Sequence, residues 1–98
     1  MNFEWDSGKD RKNRKIHGIS FSTAKFVFND IERWERFDSS HSEHEERWQT
    51  LGLVDKVLFV VYTEQGENIR IISARMADEN ERRIYNGERN IEGWTKAN

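Results

Sequence analysis

The chain has 98 residues, a net charge of −2, 35% apolar and 35% charged residues, and six Phe, four Trp and two Tyr. That length makes one domain with a modest core, and the aromatic content excludes a disordered chain despite the low apolar share. The absence of cysteine excludes disulfides and thiolate metal sites, no apolar run approaches the ~20 residues of a membrane span, and the overall charge offers no general attraction for nucleic acid. Any nucleic-acid contact must therefore be local. The opening MNFEWDSGKDRKNRK has no apolar stretch of the signal-peptide kind, so a soluble cytoplasmic protein is expected, with no membrane partner.

Residues 9–15, KDRKNRK, carry five basic groups against one acid. Gly18 is placed to end a short helix there, with His17 in the last turn facing the negative end of the dipole. The bland reading is a solvated basic face; the sharper one is a phosphate-facing patch. In SFSTAKFVFND, Phe21, Ala24, Val27 and Phe28 fall at helical spacing, and Ser20 or Ser22 can cap the start. This stripe is expected in the core.

RWERF (33–37) and EERWQTL (45–51) read as short strands. KVLFVVYT (56–63) is the strongest strand, apolar in succession and so covered on both faces. EQGE turns the chain at Gly66, and NIRIISAR (68–75) returns as the second arm of a hairpin. Asp78 and Glu81 have the spacing of a capping box, predicting a helix through about Tyr85 that ends at Gly87. Met76, Ile84 and Tyr85 are its expected contact face. The pattern predicts an α+β fold, with an antiparallel sheet of about four strands, two N-terminal helices and a C-terminal helix. The expected domain is 1–88, with a polar tail over 89–98 in which Trp94 either stays loose or tucks against the body.

Alternation along 68–75 places Arg70 with Ile72 and Ala74, and Arg75 with Ile69, Ile71 and Ser73. The two arginines then converge only if the strand bends. An arginine fork matches phosphate oxygens, but a surface arginine is also commonly just solvated or ion-paired. His41 and His44 in HSEHEERW (41–48) lie three apart, so on a strand they would face opposite ways. The zinc-protease spacing H-E-x-x-H is absent. A loop or capping role is favoured over a metal site or acid/base chemistry. Glu45 and Glu46 likewise split between faces, as do Arg47 and Trp48, with Trp48 the better core candidate. His17, beside the basic cluster, is either an ordinary helix-end histidine or a proton carrier near phosphate.

Several motifs occur together in one order: FEWD (3–6), N-x-x-x-HGISF (13–21), VFND (27–30), HSEHEERW (41–48), VVYTEQGENIRIISARMA (60–77) and ER-x-x-Y (81–85). This set resembles the BrnT family of toxins from type II toxin–antitoxin pairs, over roughly residues 3 to 85. The resemblance implies a RelE-like fold and a ribonuclease that inhibits translation without a metal or other cofactor. It also implies a BrnA-like ribbon-helix-helix antitoxin as partner, with operator DNA reached only through that antitoxin. In such nucleases the RNA 2′-hydroxyl attacks the adjacent phosphorus while the protein moves protons and stabilises charge.

On that basis Arg70, Arg75, His17, Glu46 and Tyr62 are the candidate catalytic residues. Lys12, Arg14, Lys15, Arg47 and Arg82 are the candidates for RNA binding. The family usually carries Lys-His-Gly where this chain has Ile16-His17-Gly18, and Asp-Pro where it has Asp30-Ile31. The first departure motivates an alternative, a binding module that pairs with the antitoxin but has weakened catalysis. A metal-dependent hydrolase using His41, His44 and Glu45 is a third reading.

Overall fold

The computed structural model describes residues 1–89 and 93–98; residues 90–92, within the stretch read as a tail, lie outside the described residues. The elements follow in the order β1 (Asn2–Glu4), α1 (Ser7–His17), α2 (Phe21–Ala24), a 3₁₀ turn (Lys25–Asn29), β2 (Trp34–Phe37), β3 (Trp48–Val54), β4 (Lys56–Gln65), β5 (Asn68–Met76), α3 (Glu79–Tyr85) and β6 (Thr95–Lys96). The strands form one sheet in the order β1-β5-β4-β3-β2-β6. β1 runs parallel to β5, and the other pairings are antiparallel.

The α+β class is as expected, with two more strands than the four read from the sequence. Both additions are too short for alternation to register: three residues in β1 and two in β6. No helix among the described residues is long and apolar enough to cross a membrane.

Helix boundaries follow their capping chemistry. Asp6 starts α1 by accepting from the Lys9 N–H, and Gly18 ends it at φ 71, where a Cβ would be strained. Ser20 caps α2 through the Thr23 N–H. Asp78 and Glu81 form the full reciprocal capping box of α3.

One sheet face receives α2 and the 3₁₀ turn. Phe21, Ala24 and Val27 pack there on Leu58, Val60, Tyr62, Ile69, Ile71 and Ala74. Gly52 lets this layer close, because a Cβ at that position would lie 2.7 Å from the Val27 Cβ. On the other face, α3 and Trp94 bury Leu51, Phe59, Ala77 and Ile84. Trp94 therefore tucks against the body, and Thr95–Lys96 pairs with β2. Met76 is not part of the helix contact: it ends β5 and is 49% exposed.

The strand expected over 45–51 instead starts at Trp48 and runs to Val54. Residues 38–47 form a loop closed by Ser42, whose hydroxyl donates to the Asp38 carbonyl (2.6 Å) and accepts from the Arg47 N–H (3.0 Å). The Asp38 N–H donates to the Arg47 carbonyl at 2.8 Å, so the loop ends meet while Glu45 and Glu46 stay outside the ladder.

Candidate functional site

β4 and β5 do not pair without interruption. The register steps between Val61↔Ser73 and Tyr62↔Ile71, leaving Ile72 as the extra residue of a β-bulge. The bulge cancels the alternation expected for β5. Ile69, Ile71 and Ala74 all enter the α2-side core. Arg70 and Arg75 therefore both turn to the α3 side, together with Ser73, Thr63 and Val61. The sequence-based assignment of Arg70 to the face of Ile72 and Ala74 is corrected accordingly.

On this α3 face the residues stand in rows set by the register. Trp34, Leu51, Phe59 and Arg75 form one row, Arg36, Gln49, Val61 and Ser73 the next, and Thr63, Arg70 and Glu4 a third. Helix α3 and Trp94 pack on Trp34, Leu51 and Phe59 of the first row, while Arg75 at its end is partly exposed. In the other rows Arg36, Gln49, Ser73, Arg70 and Glu4 are partly exposed, Val61 packs on the Trp94 cluster and Thr63 is buried. Two row steps at about 3.3 Å per residue place Arg70 and Arg75 roughly 13 Å apart. They share a surface rather than a single point.

Each arginine is already oriented. Arg75 is held by Glu81 through Nη1–Oε1 (2.8 Å) and Nη2–Oε2 (3.0 Å). Its guanidinium lies over the Phe59 ring at 4.1 Å. The Glu81 hydrogen bonds raise its already high pKa, so it stays cationic throughout. Arg36 donates to the Gln49 side-chain oxygen from Nε (3.0 Å) and Nη2 (2.7 Å), and stacks on Trp94 at 4.5 Å. Arg70 is looser, with a Glu4 carboxylate 3.9 Å away. This gives a sheet face with three fixed or tethered guanidinium groups, two of them stacked on aromatic rings.

The other candidates fall elsewhere. Tyr62 is 2% exposed in the α2-side core, edge-on to Phe28. Burial, with Glu35 adding to it, pushes its hydroxyl up to about 12. Lys12, Arg14, Lys15 and His17 are exposed on α1, which runs beside the outer edge of β5. Only Asn13 of that helix is buried; its amide donates to the Ala74 carbonyl (2.8 Å) and accepts from the Ala74 N–H (3.2 Å). These bonds occupy the edge groups that β1, ending at Glu4, leaves open.

Glu46 is exposed in the 38–47 loop and lines a shallow pocket with Trp48, Thr63 and Gln65, next to the Arg70 row. Arg47 is half-buried, its Nε 3.9 Å from the Glu45 carboxylate. Arg82 is exposed on α3 and donates to the Ala77 carbonyl.

His41 pairs with the buried Asp38 at 3.2 Å, a loop-ordering contact. Burial alone would raise the Asp38 pKa, but hydrogen bonds from His41 and Gln49 outweigh it and leave the group below its usual range. Among the described residues, no three His, Asp or Glu side chains are grouped to hold a metal ion.

Sequence reasoning did not single out Arg36, Gln49, Ser73 or Glu81. Alternation in RWERF and RWQT offered a signal for the first two. The place of Ser73 depended on the bulge, and Glu81 showed only its capping role.

The fold is a small α+β domain that carries three guanidinium groups, of Arg36, Arg70 and Arg75, on one sheet face. The chain belongs to the family described as ribonuclease toxin, BrnT, of type II toxin–antitoxin system, whose model matches residues 5–81. Membership implies an antitoxin partner. No curated protein matches the chain.

Proposed function

We propose that the α3 face is the RNA-cleaving surface of a ribonuclease toxin that inhibits translation. One observation carries this reading: the bulge at Ile72 turns Arg70 and Arg75 to the same partly exposed face. In the proposed reaction the 2′-oxygen of RNA attacks the adjacent phosphorus as the bond to the 5′-oxygen breaks. A protein group takes the 2′-hydroxyl proton, and a proton is delivered to the leaving 5′-oxygen.

Arg75 and Arg70 bind phosphate oxygens and stabilise the added negative charge of the transition state. Glu46, an exposed carboxylate beside the Arg70 row, is the proton acceptor we favour. Tyr62 is left out of the proton chemistry because it is buried and its hydroxyl holds its proton to about pH 12. Lys12, Arg14, Lys15 and His17 on α1 form a second basic track for RNA backbone outside the reaction centre, and Arg47 in the 38–47 loop and Arg82 on α3 are further backbone contacts. No step is assigned to a metal ion. The partner we propose is a ribbon-helix-helix antitoxin that also carries the pair to operator DNA.

The test is induction of the chain alone, followed by assay of purified protein on RNA. Growth should stop, and RNA should be cut equally well with excess chelator present. Correctly folded protein that leaves RNA intact across a salt series refutes the assignment. Cleavage abolished by chelator would refute the metal-independent reaction.

A further inference from the structure

Arg75 has five N–H donors, and its contacts use only part of them. Nη1 donates to Glu81 Oε1 and to the Met76 carbonyl (3.1 Å), and Nη2 donates to Glu81 Oε2. The Nε–H and the second Nη2–H meet no acceptor among the described residues. These two hydrogens lie on the same edge of the guanidinium plane and point the same way. That edge is the side-on fork, which matches two oxygens of a phosphate.

The fork is held, and it is open. Phe59 lies under the guanidinium face, and the Arg75 side chain is 37% exposed. Glu81 is only 12% exposed. Its Oε1 also accepts from the Asp78 N–H (2.9 Å), while its own N–H donates to Asp78 Oδ1 (2.8 Å). The Asp78 backbone N–H thus helps fix the carboxylate that fixes the arginine, a contact that does not need the Asp78 side chain.

We propose that Glu81 is a positioning residue, holding Arg75 so that its Nε/Nη2 edge forms a binding fork for one phosphodiester group of RNA. This deepens the ribonuclease reading and rests on it for the identity of the ligand. Glu81 places a negative charge beside Arg75, so it weakens rather than strengthens the ground-state pull on RNA. Its contribution is orientation, which appears in turnover rather than in binding. A residue that only caps a helix would produce no such split.

The experiment follows the Arg75 Nε–H resonance by ¹⁵N NMR while a non-cleavable 2′-deoxy oligonucleotide is added, alongside RNA cleavage kinetics. In the wild type the Nε–H signal should shift on titration. Glu81→Gln should broaden that signal and lower kcat about ten-fold, with KM unchanged or reduced. Asp78→Ala, which removes the cap but leaves the Arg75 partner, should lower Tm and keep kcat.

An Nε–H that ignores the oligonucleotide in the wild type overturns the fork. A Glu81→Gln protein with wild-type kcat and a sharp, shifting Nε–H overturns the positioning role. If the wild type shifts its Nε–H but cuts no RNA, the ribonuclease reading fails. The fork would then stand on the NMR response and its loss in Glu81→Gln.

Discussion

The Tyr85 hydroxyl donates to Asp30 Oδ2 at 2.5 Å, joining the last turn of α3 to the segment before β2. The same carboxylate accepts from the Leu53 N–H (2.7 Å) and the Glu32 N–H (2.9 Å), so one acid ties three parts of the chain together. Burial alone would raise the Asp30 pKa. The hydrogen bonds from Tyr85, Leu53 and Glu32 outweigh it and leave the group below its ordinary value.

A depressed carboxyl contributes stability that is present above its unfolded value of about 3.9 and lost as pH falls through the lower folded value. Asp30→Asn should therefore be less stable at pH 7, and its stability should fall less steeply than wild type as pH drops from 5 to 2. Tyr85→Phe should cost about 1–2 kcal/mol at neutral pH. Thermal melts over that pH range check both. Parallel acid limbs for wild type and Asp30→Asn would disprove the role.

Arg70 and Arg75 should both be needed for cleavage, in different ways. Removal of a preorganised charge-stabilising donor costs on the order of 100-fold in kcat, so Arg75→Ala should lose that much and relieve growth arrest. Arg75→Lys should recover little, because an ammonium cannot supply the side-on pair of hydrogen bonds. At Arg70, with its single longer ion-pair contact, Lys should recover more. Single-turnover cleavage of one RNA by the alanine and lysine variants at both positions measures this. Equal recovery by lysine at both positions would rule out the distinction.

Asn13 holds α1 to the sheet by satisfying both backbone groups of Ala74. Asn13→Ala leaves the buried Ala74 N–H and carbonyl unpartnered and should cost about 2–4 kcal/mol. Asn13→Leu should do no better despite its larger apolar surface, because the loss is of hydrogen bonds. Denaturant unfolding gives the numbers, and a cost below 1 kcal/mol for both would mean that water replaces the amide.

Helix ends, the β4–β5 hairpin and the core stripe were legible because each has local chemistry behind it. Gly18, Ser20, Asp78 and Glu81 mark boundaries through groups they bond within a few residues. Phe21, Ala24 and Val27 fall on one helix face whatever they pack against. The shared face of Arg70 and Arg75 was not legible, since one extra residue at Ile72 reverses every orientation beyond it. Nothing in IRIIS distinguishes a bulge from a regular strand. The dual role of Glu81 was hidden for the same reason, because it requires knowing where Arg75 points. Tyr62 looked available in VVYT, yet the three-dimensional packing of Phe28 covers it.

Ile16 separates the active-toxin reading from that of a weakened binding module. It is 61% exposed on α1 and contributes nothing to either core cluster. Ile16→Lys should therefore leave stability within about 0.5 kcal/mol of wild type, as surface changes usually do. Because Ile16 belongs to none of the residue rows of the proposed reaction centre, the added cation should mainly tighten RNA binding. The salt dependence should steepen by about one phosphate contact, and kcat should change little. An inert wild-type protein that gains strong cleavage with Ile16→Lys would reverse this conclusion. It would place the chemistry at α1 and make the natural chain a binding partner of the antitoxin with its catalytic lysine replaced.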